Sequence, residues 1–104
     1  MQLLIATKHD NDKPRTDLLP PLALLGTSKA LAHGVKEYNP YNYKNDKGLD
    51  WNRPYGALLR HLLAFWQGED FDPDSGLHHL DCAGAEMVIL QDLVYSHVGK
   101  DTRF

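Results

Sequence analysis

Residues 51–80, WNRPYGALLRHLLAFWQGEDFDPDSGLHHL, constrain the fold more than any other part of this chain. They predict a helix, a hard stop, a short acidic loop and the start of another helix. Asn52 is placed to cap the first helix, and Pro54 falls in its first turn, where a missing N–H does no harm. Tyr55, Leu58, Leu62, Phe65 and Trp66 recur at helical spacing and predict one apolar stripe, with Arg60 and His61 turned away from most of it. Gly68 supplies the stop. The loop GEDFDPDSG then packs four acids, one proline and two glycines into nine residues, and His78 and His79 open the next helix. Basic, imidazole and carboxylate groups thus meet at one helix–loop–helix junction.

The flanking segments extend the helical pattern. Tandem prolines at 20–21 suit a helix start, after which Leu24, Ser28, Leu31, Val35 and Tyr38 step at helical spacing to about residue 38. A third helix is predicted from about residue 77 to 98. Leu80, Ala83, Met87, Leu90 and Val94 should seat on the second helix, and Gly99 should end it. Residues 39–51 are rich in Asn, Asp, Gly and aromatics and read as an irregular loop, whose tyrosines suit packing or stacking on a planar ligand. Residues 8–16 read as a polar arm within a segment 1–19, the tail KDTRF as frayed, and only residues 2–6 hint at a strand. The expectation is one all-α domain over residues 1–104, a bundle of three to four helices completed by homo-oligomerisation.

Totals narrow the classes of function. A net charge of −3 gives no pull toward nucleic acid or membrane surfaces, and no window approaches the roughly 18 apolar residues of a membrane span. Cys82 is the lone cysteine, so an intrachain disulfide is excluded, and the amino-terminal run is too short for a signal peptide. A soluble cytoplasmic protein is expected.

Several groups are candidates for chemistry. Glu69, Asp70, Asp72 and Asp74 are hard oxygen ligands of the kind Mg²⁺ or Mn²⁺ prefers, although solvation and capping by Asp74 and Ser75 explain them too. His79, Cys82 and Glu86 share a helix face, a pattern able to hold a soft metal but lacking a fourth ligand at a recognisable spacing; a buried thiol beside the core explains Cys82 better. Lys13, Arg15, Arg53 and Arg60 are sparse cations, of which Arg60, mid-helix, is the one least explained by surface solvation.

The segments KHDNDKPRTDLLPPLAL, AHGVKEYNPYNY and LLRHLLAFWQGEDFDPDSGLHHL together resemble the amino-terminal domain family of phage and bacterial dATP/dGTP diphosphohydrolases. The likeness covers nearly the whole chain in order. It implies an all-helical, MazG-like domain that converts purine deoxynucleoside triphosphates to monophosphate and pyrophosphate with Mg²⁺ or Mn²⁺, in the host cytoplasm if phage-encoded. On the positions that match, it further implies catalytic roles for Glu69, Asp72 and His79 and nucleotide contacts from Lys13, Arg15, His33, Tyr38, Asn42, Arg60 and His61, while the acidic loop's own chemistry adds Asp70 to Glu69 and Asp72 as expected metal ligands. Two departures accompany it. The only glutamates are Glu37, Glu69 and Glu86, too few for the paired-helix carboxylate signature of MazG-type enzymes, and Asp81–Cys82 stands where the family pattern has Ala–His. A second reading therefore stays open: a non-catalytic phage protein that sequesters a purine nucleotide or a nucleotide-derived immune signal.

Overall fold

The computed structural model describes residues 4–104. The chain forms three α-helices, α1 (Pro21–Gly34), α2 (Asn52–Trp66) and α3 (His79–Tyr95), with short 3₁₀ turns at Thr16–Leu18 and Asn42–Lys44. Among the described residues the sole β-pairing is an isolated antiparallel bridge between Phe71 and His78, so the fold is a small all-α bundle. The strand expected at residues 2–6 lies partly outside the described residues, and 4–6 are exposed without strand pairing.

Local chemistry sets the helix ends. Pro20 sits extended before α1 and Pro21 takes its first position, where a fixed φ and an absent N–H fit the helix start. α1 ends at Gly34, about a turn earlier than the apolar spacing implied; residues 35–38 continue as turns. Trp51, not Asn52, is the N-cap of α2. The Asn52 amide instead donates to Thr102 Oγ1 at 3.0 Å, and the Trp51 amide donates to the Lys100 carbonyl at 3.0 Å. The Trp51 indole donates to the Val98 carbonyl at 2.9 Å. The carboxy-terminal tail is thus stapled to the start of α2, correcting the frayed reading. α2 closes at Gln67–Gly68, where Gly68 has φ +104, a left-handed value costly for any other residue. The N-cap of α3 is His78, whose Nδ1 accepts from the Leu80 amide at 3.0 Å, and α3 ends at Ser96 with His97 left-handed, three residues before the anticipated stop.

α3 packs against both other helices. Its buried face carries His79, Cys82, Ala83, Ala85 and Leu93, while Leu80 and Met87 of the expected stripe are both 43% exposed. The facing surface of α2 is Pro54, Leu58, His61 and Phe65; Tyr55, Leu62 and Trp66 lie toward solvent. His61 therefore points into the bundle, opposite to the sequence reading. α1 packs on α3 with a glycine from each helix at the contact. A Cβ on Gly26 would collide with the Asp81 carboxylate, and one on Gly84 with Thr27 Oγ1. Asp92 anchors the 39–51 loop, accepting from Tyr43 Oη at 2.6 Å and pairing with Lys44 Nζ at 2.8 Å. Burial, reinforced by Asp92, pushes the Tyr43 phenol well above its ordinary value. Tyr43 is thus used in packing.

Candidate functional site

The close α1–α3 crossing and the bend after α2 leave a cavity of about 280 Å³ between all three helices. Its wall takes Ala30, His33 and Gly34 from α1, His61 from α2, Asp72, Ser75 and Leu77 from the acidic loop, and Cys82, Ala85 and Glu86 from α3.

The loop reaches the cavity because it folds back on itself. The Asp72 amide donates to the Leu77 carbonyl at 2.8 Å, and the His79 amide to the Asp70 carbonyl at 2.8 Å. Asp72 Oδ1 accepts from the Asp74 amide at 3.2 Å, and Oδ2 accepts from the Ser75 hydroxyl at 3.0 Å. Burial raises the Asp72 carboxyl, but these two bonds, with the His61 and His79 imidazoles, outweigh it and hold the group below its usual value. Asp72 is therefore an anion facing the cavity at neutral pH.

A polar chain runs beside it. His79, 4% exposed, meets Glu69 Oε1 through Nε2 at 2.7 Å and His61 Nδ1 through Nδ1 at 2.9 Å. An ionised Glu69 only accepts, so His79 donates from Nε2. With both rings neutral, His79 Nδ1 then accepts the Nδ1–H of His61, and His61 Nε2 is left with a lone pair. Burial holds the His61 imidazole below its ordinary value; Asp72 pulls the other way, while His79 and Arg60 add to the effect of burial. In that neutral tautomer the relay turns an unprotonated His61 nitrogen toward the cavity. Burial also pushes the Glu86 carboxyl up, opposed by Arg60, and pushes the Cys82 thiol up.

The sequence-derived candidates fall into three groups. His33, His61 and Asp72 line the cavity, and Glu69 and His79 support it through the relay. Arg60 is exposed on α2, close enough to influence both His61 and Glu86. Lys13, Arg15, Tyr38, Asn42 and Asp70 are exposed and do not line the cavity, and Arg15 is paired with Asp17 at 2.8 Å. Among the described residues, the carboxylates of Glu69, Asp70 and Asp72 do not converge on one point; the trio whose ligand atoms do is His61, Asp72 and Cys82, all within 4.8 Å of one another. His79 is turned to Glu69 and His61 rather than to Cys82. Ser75, Cys82 and Glu86 are polar cavity residues outside the expected site set, although the spacing of Cys82 and Glu86 already marks their shared helix face.

Fold and cavity define the class: a small all-α domain with an anionic, histidine-lined pocket at a three-helix junction. Over residues 5–103 the chain matches the family described as dATP/dGTP diphosphohydrolase, N-terminal, and it belongs to that family. A relative named dATP/dGTP diphosphohydrolase, from Salmonella phage PMBT28, is 28% identical over 96 residues, covering 92% of this chain and 32% of the relative. The chain therefore spans about a third of that relative's length. No solved structure matches it. Among the described residues no helix is long and apolar enough to cross a membrane.

Proposed function

We propose that this domain binds a purine nucleoside triphosphate at the three-helix cavity and hydrolyses it to the monophosphate and pyrophosphate. The observation that carries this reading is the relay from Glu69 through His79 to His61, which orients the His61 ring on the cavity wall it shares with Asp72. His61 Nε2 takes a proton from water as its oxygen bonds to the α-phosphorus. The bond from the α-phosphorus to the oxygen bridging it to the β-phosphorus breaks, and pyrophosphate leaves with the electron pair. Glu69 and His79 hold the His61 ring in the tautomer that accepts this proton. Arg60, at the edge of the site, offsets charge growing on the leaving group, and Lys13 and Arg15 extend the same role if the arm folds over the phosphates.

The family resemblance implies Mg²⁺ or Mn²⁺. Such an ion takes most of its ligands from substrate phosphates and water and needs only one or two protein carboxylates. Asp72 and Glu86, both on the cavity wall, meet that requirement, and the ion would supply charge neutralisation on the triphosphate. Exposed apolar side chains, among them Leu22, Leu25, Leu63 and Trp66, support a homo-oligomer that covers them.

The dispersed carboxylates of Glu69, Asp70 and Asp72 favour one competing reading, sequestration of an intact nucleotide without turnover. Incubation with dGTP or dATP and Mg²⁺ or Mn²⁺, followed by anion-exchange separation, distinguishes the two. Monophosphate and pyrophosphate in equal amounts, lost in His61→Gln and Asp72→Asn, support hydrolysis. Tight retention of intact nucleotide, indifferent to EDTA, overturns it in favour of sequestration.

A further inference from the structure

We propose that His61, Asp72 and Cys82 form a binding site for a borderline divalent metal ion of the zinc class, distinct in chemistry from the Mg²⁺ or Mn²⁺ that accompanies a nucleotide. The inference does not depend on the hydrolase reading, because it requires no nucleotide; the two draw on the same His61 Nε2 and Asp72, so an ion bound there would withhold the lone pair that the general base needs.

Three donors of the right kind converge from three separate elements. His61 comes from α2, Asp72 from the acidic loop and Cys82 from α3, and one ligand atom of each lies within 4.8 Å of the others. A tetrahedral zinc ion, with bonds of about 2.0–2.3 Å, wants its donors about 3.3–3.8 Å apart, so small side-chain rotations close the site. A thiol is a poor ligand for Mg²⁺, whereas an imidazole, a thiolate and a carboxylate together suit zinc and cobalt. Beside the apolar Ala30, Leu77 and Ala85, Cys82 shares its cavity with the polar His61, Asp72, Ser75 and Glu86.

The surroundings of the donors are also those of a ligand site. His61 is bonded through Nδ1 to His79, which is bonded in turn to Glu69, so Nε2 is the nitrogen left for an ion. Such outer partners orient a ligating imidazole and strengthen its basicity. Asp72 is held by the Asp74 amide and the Ser75 hydroxyl, one on each oxygen, which leaves lone pairs on both. On coordination the Cys82 thiol gives its proton to solvent. Three protein ligands leave a fourth position on the cavity, the arrangement of an exchangeable rather than a closed structural site.

Cobalt is the probe. Untagged, metal-stripped protein titrated with Co²⁺ in the absence of nucleotide should bind one equivalent, with thiolate-to-cobalt charge-transfer absorption in the near ultraviolet that Zn²⁺ abolishes by displacement. Cys82→Ser should remove the band while helicity is retained. Asp72→Asn and His61→Gln should weaken cobalt binding at least tenfold, and His79→Gln by about 10–100-fold, the usual range for an outer partner. Absence of a stoichiometric band in the wild type overturns the proposal, as does a band that survives Cys82→Ser. Should Cys82→Ser fail to fold, Asp72→Asn decides: cobalt affinity unchanged in that variant removes the site.

Discussion

Gly84→Ala tests the contact that forms the cavity. Gly84 lies inside α3 against Thr27, and an added Cβ would drive into Thr27 Oγ1, with Thr27 Cβ 3.5 Å and Cγ2 3.7 Å away. Alanine gains about 0.5–1 kcal/mol over glycine in a helix interior. Overpacking at a tight contact costs about 1–3 kcal/mol. Gly56 of α2 is a matched control, because its Cβ would meet only the flexible Arg60 Nη1 at 3.4 Å. Gly56→Ala should therefore stabilise by the propensity gain alone, and Gly84→Ala should fall below it by about 1–3 kcal/mol, the overpacking cost. Gly84→Val adds two methyls to the same space and loses most of the propensity gain, so it should be worse than either. Urea unfolding followed by circular dichroism gives the three free energies. Gly84→Ala as stable as Gly56→Ala would refute the claim that α1 and α3 touch through this glycine, and with it the α1 wall of the cavity.

Other outcomes follow from the same packing and charges. Because folding lowers the His61 pKa, the unfolded chain takes up that proton first as pH falls; the contribution of His61 to stability is whole above about 6.5 and declines below it. Unfolding free energy measured from pH 7.5 to 6 should drop accordingly, and the drop should vanish in His61→Gln; a flat wild-type profile contradicts the assignment. Burial disfavours the charged Glu86, so Glu86→Gln should raise the melting temperature at pH 7 while weakening any nucleotide turnover, and a lowered melting temperature would show that the charge is well compensated. Leu93, fully buried on α3, should cost about 2–5 kcal/mol when cut to alanine, as read by denaturant titration. Leu62 is 39% exposed, so Leu62→Asp should leave the helices intact and instead reduce the mass in solution to that of one protomer; unfolding of the protomer itself would place Leu62 in a core.

The amino-acid order alone determined the element types and most of their bounds. Prolines at 20, 21 and 54 and the glycine at 68 act within a turn of where they stand, and their effect on φ or on a missing N–H needs no partner. The acidic loop was legible for the same reason, and the family likeness came with the motifs. The rotation of the helices was not legible. α3 is apolar on several sides, with Leu80, Met87 and Val88 exposed and Ala83, Ala85 and Leu93 buried, so spacing could not say which side faces inward. Tertiary contact decided it, through two glycines that let α1 approach and turned Cys82 and Glu86 toward the cavity. The same contact set His61 against His79, since a buried histidine is recognisable only by the partner that satisfies it. The tail was misread because its polar composition hid a backbone bond from Trp51 to Lys100. Local rules act on neighbours in sequence; the site is made of residues that only packing brings together.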